Sequence, residues 1–584
     1  MLLPKLSTRL FGGLDALLQG LGRVIYFLMS PGRPMAFNLA AGLALLVFSF
    51  AFTWSVGNRG IYLLDYSIVF DGAWKVLQGQ VPYRDFAVSH APIAYYLLAG
   101  AFKWFGVSYF TFLGFAAALN VLGVLASILI ARRLAPGTEL LVGLVTAVWY
   151  MPIMGFPQIE HVAFCFDFVA LWLVVEAGLS MAWPAWLARI LAGALLFAAV
   201  MTKQNAGIFF IPVLVLYVAL LPFPARKSRL ASVLMICLGF LLAILPFLFW
   251  LWTSSDPLLF KHHVLDVPSA FGWHRLAVAL APSKLLPVVV MGICGRYSIQ
   301  LLTLLSYLVV GLVVLKALYG KSPLAGSIHS PLSLLLGLMV FHLLFTSSML
   351  NEVESGLPFI GLLAGLTIGL LRANLGSIDL RWRDSASSGQ ILELSSSHPF
   401  VSLPFIFMML LLVYQGSKVA WQRMANEFSV GTEFSETLDI PEASSLRWGN
   451  PTFLGGSNGQ FYAPVTKSQF EGLYWYLRKT DKNFFVFPSS TILYGLLRKP
   501  SPAPWLFFLE GHSHAVEDRP KLDNAALASF QRLNVCIWVK ENASYMDEHN
   551  DYWKLPKTAA WLNSNFKKTR QFGPYDVLEN TNCK

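Results

Sequence analysis

The chain has 584 residues, 56% hydrophobic and only 13% charged, with a mean hydropathy of +0.58. Soluble domains carry about 25% charged residues, so composition excludes an ordinary soluble protein and points to a polytopic α-helical membrane protein. The net charge of +11 sits mostly in short basic clusters between apolar runs, as membrane orientation requires, and does not call for nucleic acid.

Residues 1–34 carry Lys5, Arg9, Arg23 and Arg33 against Asp15. The positive-inside bias assigns this end to the cytoplasm. No cleavable signal peptide is evident there, and the apolar piece 22–30 is too short to span, which suits an interfacial position. A first span over 35–56 then delivers the loop 57–107 to the outer face. Residues 91–105 are apolar but short and include Lys103, the pattern of a helix lying at the outer interface. Further spans are expected near 108–131, 138–154, 162–180, 186–201, 206–222 and 230–253. An outer stretch, 254–284, holds Asp256, Lys261, His262, His263, Asp266 and His274, and 285–294 is ambiguous. Spans near 298–317, 330–350, 356–371 and 400–415 complete a set of about eleven. With that count Arg132/Arg133, Arg226/Lys227/Arg229 and Arg372/Arg381/Arg383 fall inside. Asp65, Glu160, Lys203 and Glu352/Glu354 fall outside.

Residues 417–584 change character. Lys, Asp, Asn and Pro return to ordinary soluble frequency. KSQFEGLYWYLRKT and DNAALASFQRL have helical periodicity, and NFFVFP and VCIWVK read as short buried strands. The alternation predicts a small extracytoplasmic α/β domain. The domain plan is therefore a cytoplasmic segment 1–34, a transmembrane unit 35–416 and an outer domain 417–584. Cys165, Cys237 and Cys294 read as buried thiols, whereas Cys536 and Cys583 pair if the tail is extracytoplasmic. Asn542-Ala543-Ser544 fits the N-glycosylation pattern.

Ionisable groups beside a bilayer are costly unless solvated, paired or used, and several converge on the outer loops. The first loop reads DYSIVFDGAWKVLQGQVPYRDFAVSHAPIAYY over residues 65–96. Asp65, Ala73, Gly79, Pro82-Tyr83-Arg84-Asp85-Phe86, Pro92 and Gly106 resemble the first outer loop of the GT-C superfamily of integral membrane glycosyltransferases. That superfamily includes the protein O-mannosyltransferases (glycosyltransferase family 39) and the aminoarabinose transferase of lipid A. The resemblance in organisation runs through about residue 225. It implies a multi-pass enzyme of the inner membrane with its site and C-terminal domain on the periplasmic side. A sugar would pass from a polyprenyl-phosphate donor to an envelope acceptor (lipid, polysaccharide or protein) with inversion.

By that resemblance the catalytic base falls on Asp65, although Tyr66 stands where many relatives carry a second acid, so Asp71 and Asp85 stay open as helpers. The same residues also admit plain structural roles: Asp65 as a helix cap and Asp85 as the partner of Arg84. A positioned carboxylate is wanted because a sugar hydroxyl is a poor nucleophile, and taking its proton gains typically about 10²–10⁴ in rate. Arg84 and His90 are further substrate-binding candidates, a guanidinium being suited to bidentate phosphate contact. Glu160 and His161, opening the second outer loop, resemble the family's second acid site, for acceptor or cation contact. Asp167, seven residues on, shares the helical face of Glu160 two turns deeper. Lys203 with Gln204 ends the fifth span, where a cation offsets charge developing on a leaving phosphate. The alternative is a lysine snorkelling to the headgroups. A divalent cation is left open, with no metal ligands assigned: His262, His263 and Asp266 lack a third strong ligand in the sequence. The rival readings are a transporter or flippase of a lipid-linked sugar and a noncatalytic scaffold. Acids gathered at one face favour the enzyme.

Overall fold

The computed structural model describes residues 34–61, 63–150, 155–178, 182–220, 226–269, 272, 326–349, 357–374, 379–385, 389–395, 420, 434–449, 452–453, 464–488, 490–508, 514–542 and 554–583. The helices run in chain order α1 (Met35–Gly57), α2 (Leu63–Leu77), α3 (Ile93–Phe105), α4 (Tyr109–Leu134), α5 (Glu139–Trp149), α6 (Ile159–Ala177), α7 (Trp183–Val200), α8 (Gln204–Leu220) and α9 (Arg226–Thr253). A short helix α10 (Pro257–Phe260) follows, continued by a π-helical turn Lys261–Asp266, and then α11 (Gly326–Met349) and α12 (Ile360–Asn374).

Nine of the eleven expected spans contain a helix; 298–317 and 400–415 lie outside the described residues, as do Glu352 and Glu354. Among the described residues four helices are long and apolar enough to cross a membrane: Met35–Gly57, Tyr109–Leu134, Trp183–Val200 and Ser228–Thr253. At 1.5 Å per residue, α1 with its 23 residues is roughly 35 Å long, enough for a hydrocarbon core of about 30 Å. Its Met35, Leu39, Leu43 and Val47 recur every fourth residue and remain 61–69% exposed. An apolar stripe turned outward in this way marks a surface that meets lipid or another protein rather than water.

Between helices the contacts are close or polar, as bilayer packing demands. A Cβ at Gly193 in α7 would overlap the Ile236 carbonyl oxygen of α9, and one at Gly239 would overlap the Ile190 carbonyl. Asn120 of α4 donates from Nδ2 to Thr53 Oγ1 of α1 at 2.7 Å and to the Ala147 carbonyl of α5 at 3.0 Å. One amide thus ties three helices where water is absent.

The expected interfacial segment 91–105 is α3, whose Trp104 and Phe105 are 84% and 82% exposed. The loop expected after α12 contains an antiparallel hairpin, β1 (Asp379–Ser385) with β2 (Gly389–Ser395).

The C-terminal part is a sheet-containing α/β region. Two small antiparallel pairs come first, β3 (Glu436–Thr437) with β4 (Arg447–Trp448) and β5 (Thr452–Phe453) with β6 (Pro464–Val465). The main sheet comprises β7 (Asn483–Phe487), β8 (Val535–Glu541), β9 (Phe566–Phe572) and β10 (Tyr575–Asn580), in the order β7-β8-β10-β9. β7 and β8 are parallel and the other neighbours antiparallel. Helices α13 (Lys467–Lys479), α14 (Ile492–Leu497), α15 (Arg519–Arg532) and α16 (Pro556–Asn565) accompany it. α13 opens with a full capping box, Thr466 and Gln469 satisfying each other's backbone N–H. The helix and strand stretches read from the sequence fall on α13, α15, β7 and β8. Cys536 and Cys583 form a disulfide, the pairing expected of an extracytoplasmic tail. Cys165 is buried as a free thiol, but Cys237 is exposed on the membrane-spanning α9 rather than buried.

This region docks on residues 60–87, at and after the end of α1, through backbone and side chain alike. Gly60 N–H donates to the Arg447 carbonyl at 2.8 Å, and Ala87 N–H to the Pro504 carbonyl at 2.9 Å. Trp74 Nε1 of α2 donates to the Lys499 carbonyl at 2.9 Å, and Ser67 Oγ accepts from Ile492 N–H at 3.1 Å.

Candidate functional site

Three pieces meet at the junction of α7 and α8: the end of the loop between α2 and α3, the start of α6 and the π-helical turn after α10. Glu160 occupies the first turn of α6, where the helix dipole favours a carboxylate. Lys203 lies in the two-helix corner between α7 and α8. Its Nζ stands 3.9 Å from Glu160 Oε2, the side chains being 16% and 8% exposed. At that distance the charges attract without a direct hydrogen bond between these two atoms.

Gln204, the first residue of α8, fastens this corner. Its Nε2 donates to the Ser89 carbonyl at 3.0 Å and to the Val264 carbonyl at 2.8 Å. Ile93 N–H, opening α3, donates to the Met201 carbonyl at 3.1 Å. His90, next to Ser89, gives its carbonyl to Tyr83 Oη at 2.7 Å, and its Nδ1 lies 3.4 Å from Tyr95 Oη. Tyr83 has φ +69°, a left-handed conformation costly for a bulky residue. It is buried, and its N–H donates to the Phe86 carbonyl at 2.9 Å. PYRDF is thus a strained turn fixed at both ends of its tyrosine.

Asp65 stands in the first turn of α2, partly exposed. The following residue, Tyr66, is buried with its ring 4.4 Å from that of Phe156, four residues before Glu160. Gly155 packs so tightly on the end of α1 that a Cβ there would meet the Gly57 backbone. The segment leading into Glu160 is therefore clamped beside the base of α2. His161 is buried; its carbonyl accepts from Tyr150 Oη at 2.7 Å, and its ring lies edge-on to that of Phe164.

The remaining sequence candidates lie elsewhere. Arg84 and Asp85 pair with each other at 2.7 Å on the surface. Arg84 Nη1 also donates to the Ser254 carbonyl at 3.1 Å. Burial works to raise the Asp85 pKa, but hydrogen bonds from Arg84 and the Val81 N–H hold it below the ordinary carboxylate range. Asp71 is wholly buried under the C-terminal region, where its Oδ2 accepts from Ser501 Oγ at 3.0 Å. Beside it, one helical turn on, Lys75 Nζ donates to the carbonyls of Ser501 at 3.1 Å and Ala503 at 2.7 Å. Burial pushes the Asp71 pKa up and the Lys75 pKa down, each partly opposed by the other's charge. These groups hold two parts of the protein together, and Asp71 stands apart from the Lys203–Glu160 corner. Asp167 is fully buried in α6, with no hydrogen-bond partner for its carboxylate among the described residues.

Sequence reasoning missed Lys75, Ser501, and the Ser89 and Val264 carbonyls. The i, i+4 spacing of Asp71 and Lys75 was a usable signal; backbone acceptors leave none. Nor does sequence bring Asp518 to His262, 256 residues away.

No protein-family model and no curated relative matches the chain, but solved structures do. The crystal structure of ArnT from Cupriavidus metallidurans bound to undecaprenyl phosphate superposes with a TM-score of 0.50 at 13% identity, covering 94% of this chain and 99% of that one. The oligosaccharyltransferase AglB from Archaeoglobus fulgidus, in complex with an inhibitory peptide and a dolichol-phosphate, gives 0.46 at 11% identity over 93% and 75%. The arabinosyltransferase EmbB from Mycobacterium smegmatis gives 0.31 at 10% identity over 68% and 38%. The ArnT match extends over nearly the whole of both chains. The chain has the fold of the GT-C glycosyltransferases.

Proposed function

We infer that the protein is a membrane glycosyltransferase, moving a sugar from a polyprenyl-phosphate donor to an envelope acceptor at the outer face of the cytoplasmic membrane. The observation that carries this reading is the Lys203–Glu160 corner: a cation held 3.9 Å from a carboxylate where three pieces of a GT-C fold converge. The undecaprenyl phosphate bound to ArnT supports a lipid phosphate as the donor's anchor here.

In this reading the acceptor hydroxyl attacks the anomeric carbon and Asp65 takes its proton. The carbon–oxygen bond to phosphate breaks, and its electron pair leaves with the phosphate. One displacement inverts the anomeric centre. No second carboxylate is needed to activate the leaving group, since lipid phosphate already leaves well. Lys203 offsets the charge gained by the phosphate, an effect strengthened where water is scarce. Glu160 keeps Lys203 in place and offers the acceptor a hydrogen-bond acceptor. The unit 35–416 carries the chemistry, and 417–584 covers the acceptor side in the periplasm.

The test is sugar transfer from a synthetic polyprenyl-phosphate donor in proteoliposomes, read by mass spectrometry. The wild type transfers and Asp65→Asn, inserted normally, does not. Equal transfer by Asp65→Asn removes that residue from its role. Flipping of the lipid without any transfer by the wild type overturns the enzyme reading.

A further inference from the structure

Helix α13 carries two working faces. Phe470, Leu473, Tyr474 and Leu477 are buried in the core of the C-terminal region. Gly472, Trp475, Tyr476 and Lys479 follow the i, i+3, i+4, i+7 spacing of a second face, which lies beside the end of β9. With Thr480, Arg570 and Phe572 they line a cleft of about 410 Å³, within the size range of small-ligand sites. A Cβ at Gly472 would stand 2.9 Å from the Phe572 ring, so the glycine lets helix and strand approach closely enough to form the cleft.

The aromatic walls are held in place. Tyr476 Oη donates to Glu579 at 2.7 Å, and its ring lies 5.9 Å from that of Phe572. The Arg570 guanidinium stands 5.0 Å over the Tyr476 ring, a cation–π contact. Arg570 and Lys479 are exposed, and among the described residues neither has a carboxylate partner. The acids nearby are engaged elsewhere. Glu579 also accepts from Lys482 and Thr569, Asp576 pairs with Lys568, Glu442 pairs with Arg478, and the charge of Asp481 acts on Lys499. Two cations therefore flank three aromatic rings without compensating charge.

We propose that this cleft binds a uronate, a pyranose ring bearing a carboxylate, as part of an acidic glycan. The C–H face of a pyranose is attracted to the negative face of an aromatic ring, and Trp475, Tyr476 and Phe572 supply three such rings. The carboxylate takes Arg570, whose planar fork matches it bidentately. The ring hydroxyls take Lys479 and Thr480; the Thr480 Oγ1 accepts from Lys482 N–H at 3.2 Å and keeps its own proton to donate. A bare inorganic anion would use the cations and leave the rings idle. A neutral sugar would do the reverse. No residue of the cleft belongs to the Lys203–Glu160 corner, so this binding does not depend on the reaction proposed there.

The test titrates trigalacturonate into full-length protein in detergent, read by calorimetry. Maltotriose, triglutamate and sulfate serve as the neutral sugar, the acidic peptide and the bare anion. The wild type is expected to bind trigalacturonate more tightly than any of these. Arg570→Gln and Lys479→Gln should each weaken that binding at least about tenfold with Tm unchanged. Trp475→Ala should weaken it about two- to tenfold, and Lys203→Met should leave it as in the wild type. No binding of trigalacturonate by the wild type, equal binding by the two charge variants, or equal binding of maltotriose, triglutamate or sulfate overturns the site. A loss in Lys203→Met with none in Arg570→Gln would move the binding to the corner and overturn the cleft as well.

Discussion

Two acid–lysine pairs stand beside the loops that join the helices of this protein, and they are built in opposite ways. Asp71 and Lys75 are fully buried, with the ammonium committed to the carbonyls of Ser501 and Ala503 and the carboxylate to Ser501. Glu160 and Lys203 keep a little solvent access and sit 3.9 Å apart. The first pair spends its hydrogen bonds on joining two regions. The second is an ion pair with no direct hydrogen bond between Lys203 Nζ and Glu160 Oε2. Charge type and position in the chain put Asp71, Glu160 and Lys203 in one class; only the partners separate them.

The sharpest break of this comparison lies in the carboxylates. Asp65→Asn should lower transfer by about 10²–10⁴ with unchanged stability, measured as turnover against Tm. Next is Lys75→Met, which leaves Asp71 buried without its counter-charge. Removing one partner of a buried pair costs about 3–5 kcal/mol, so denaturant unfolding should report a loss of that order. Asp71→Leu/Lys75→Met should recover part of it, the two carbonyls remaining unpaired. Lys203→Met should cost little stability but about 10²–10³ in turnover.

The smallest effect is on pH. Burial raises the folded-state pKa of Asp71 above its unfolded value, so the folded protein binds more protons over that interval. Its contribution to stability therefore falls as pH rises from the ordinary carboxylate range toward the raised value. Lys75, lowered by burial, works the other way at alkaline pH: its contribution rises as pH climbs from the lowered value to the ordinary lysine range. Thermal unfolding across pH should show both slopes, and Asp71→Asn should flatten the acid one.

Much of the fold was legible because hydrophobic periodicity marks apolar helices directly. The 3.6-residue and two-residue rhythms of 417–584 likewise marked α13, α15, β7 and β8. The candidate corner was legible only in part. Glu160, Lys203 and Gln204 stood out as polar residues at ends of apolar runs, and Glu160 and Lys203 do meet. Asp71 looked the same from the sequence, since an acid between two apolar runs carries no sign of what will cover it. Its cover, Ser501, lies 430 residues away. The same distance problem hid Asp518 from His262, and it hid the role of Gln204, whose partners are backbone carbonyls that every residue possesses.

The most direct measurement is the affinity for undecaprenyl phosphate of the protein in lipid nanodiscs, compared between wild type, Lys203→Met and the folded fraction of Lys75→Met. The account predicts binding weakened roughly 10–100-fold by Lys203→Met, the worth of a charged hydrogen bond, and unchanged by Lys75→Met. Equal affinity in wild type and Lys203→Met would contradict it.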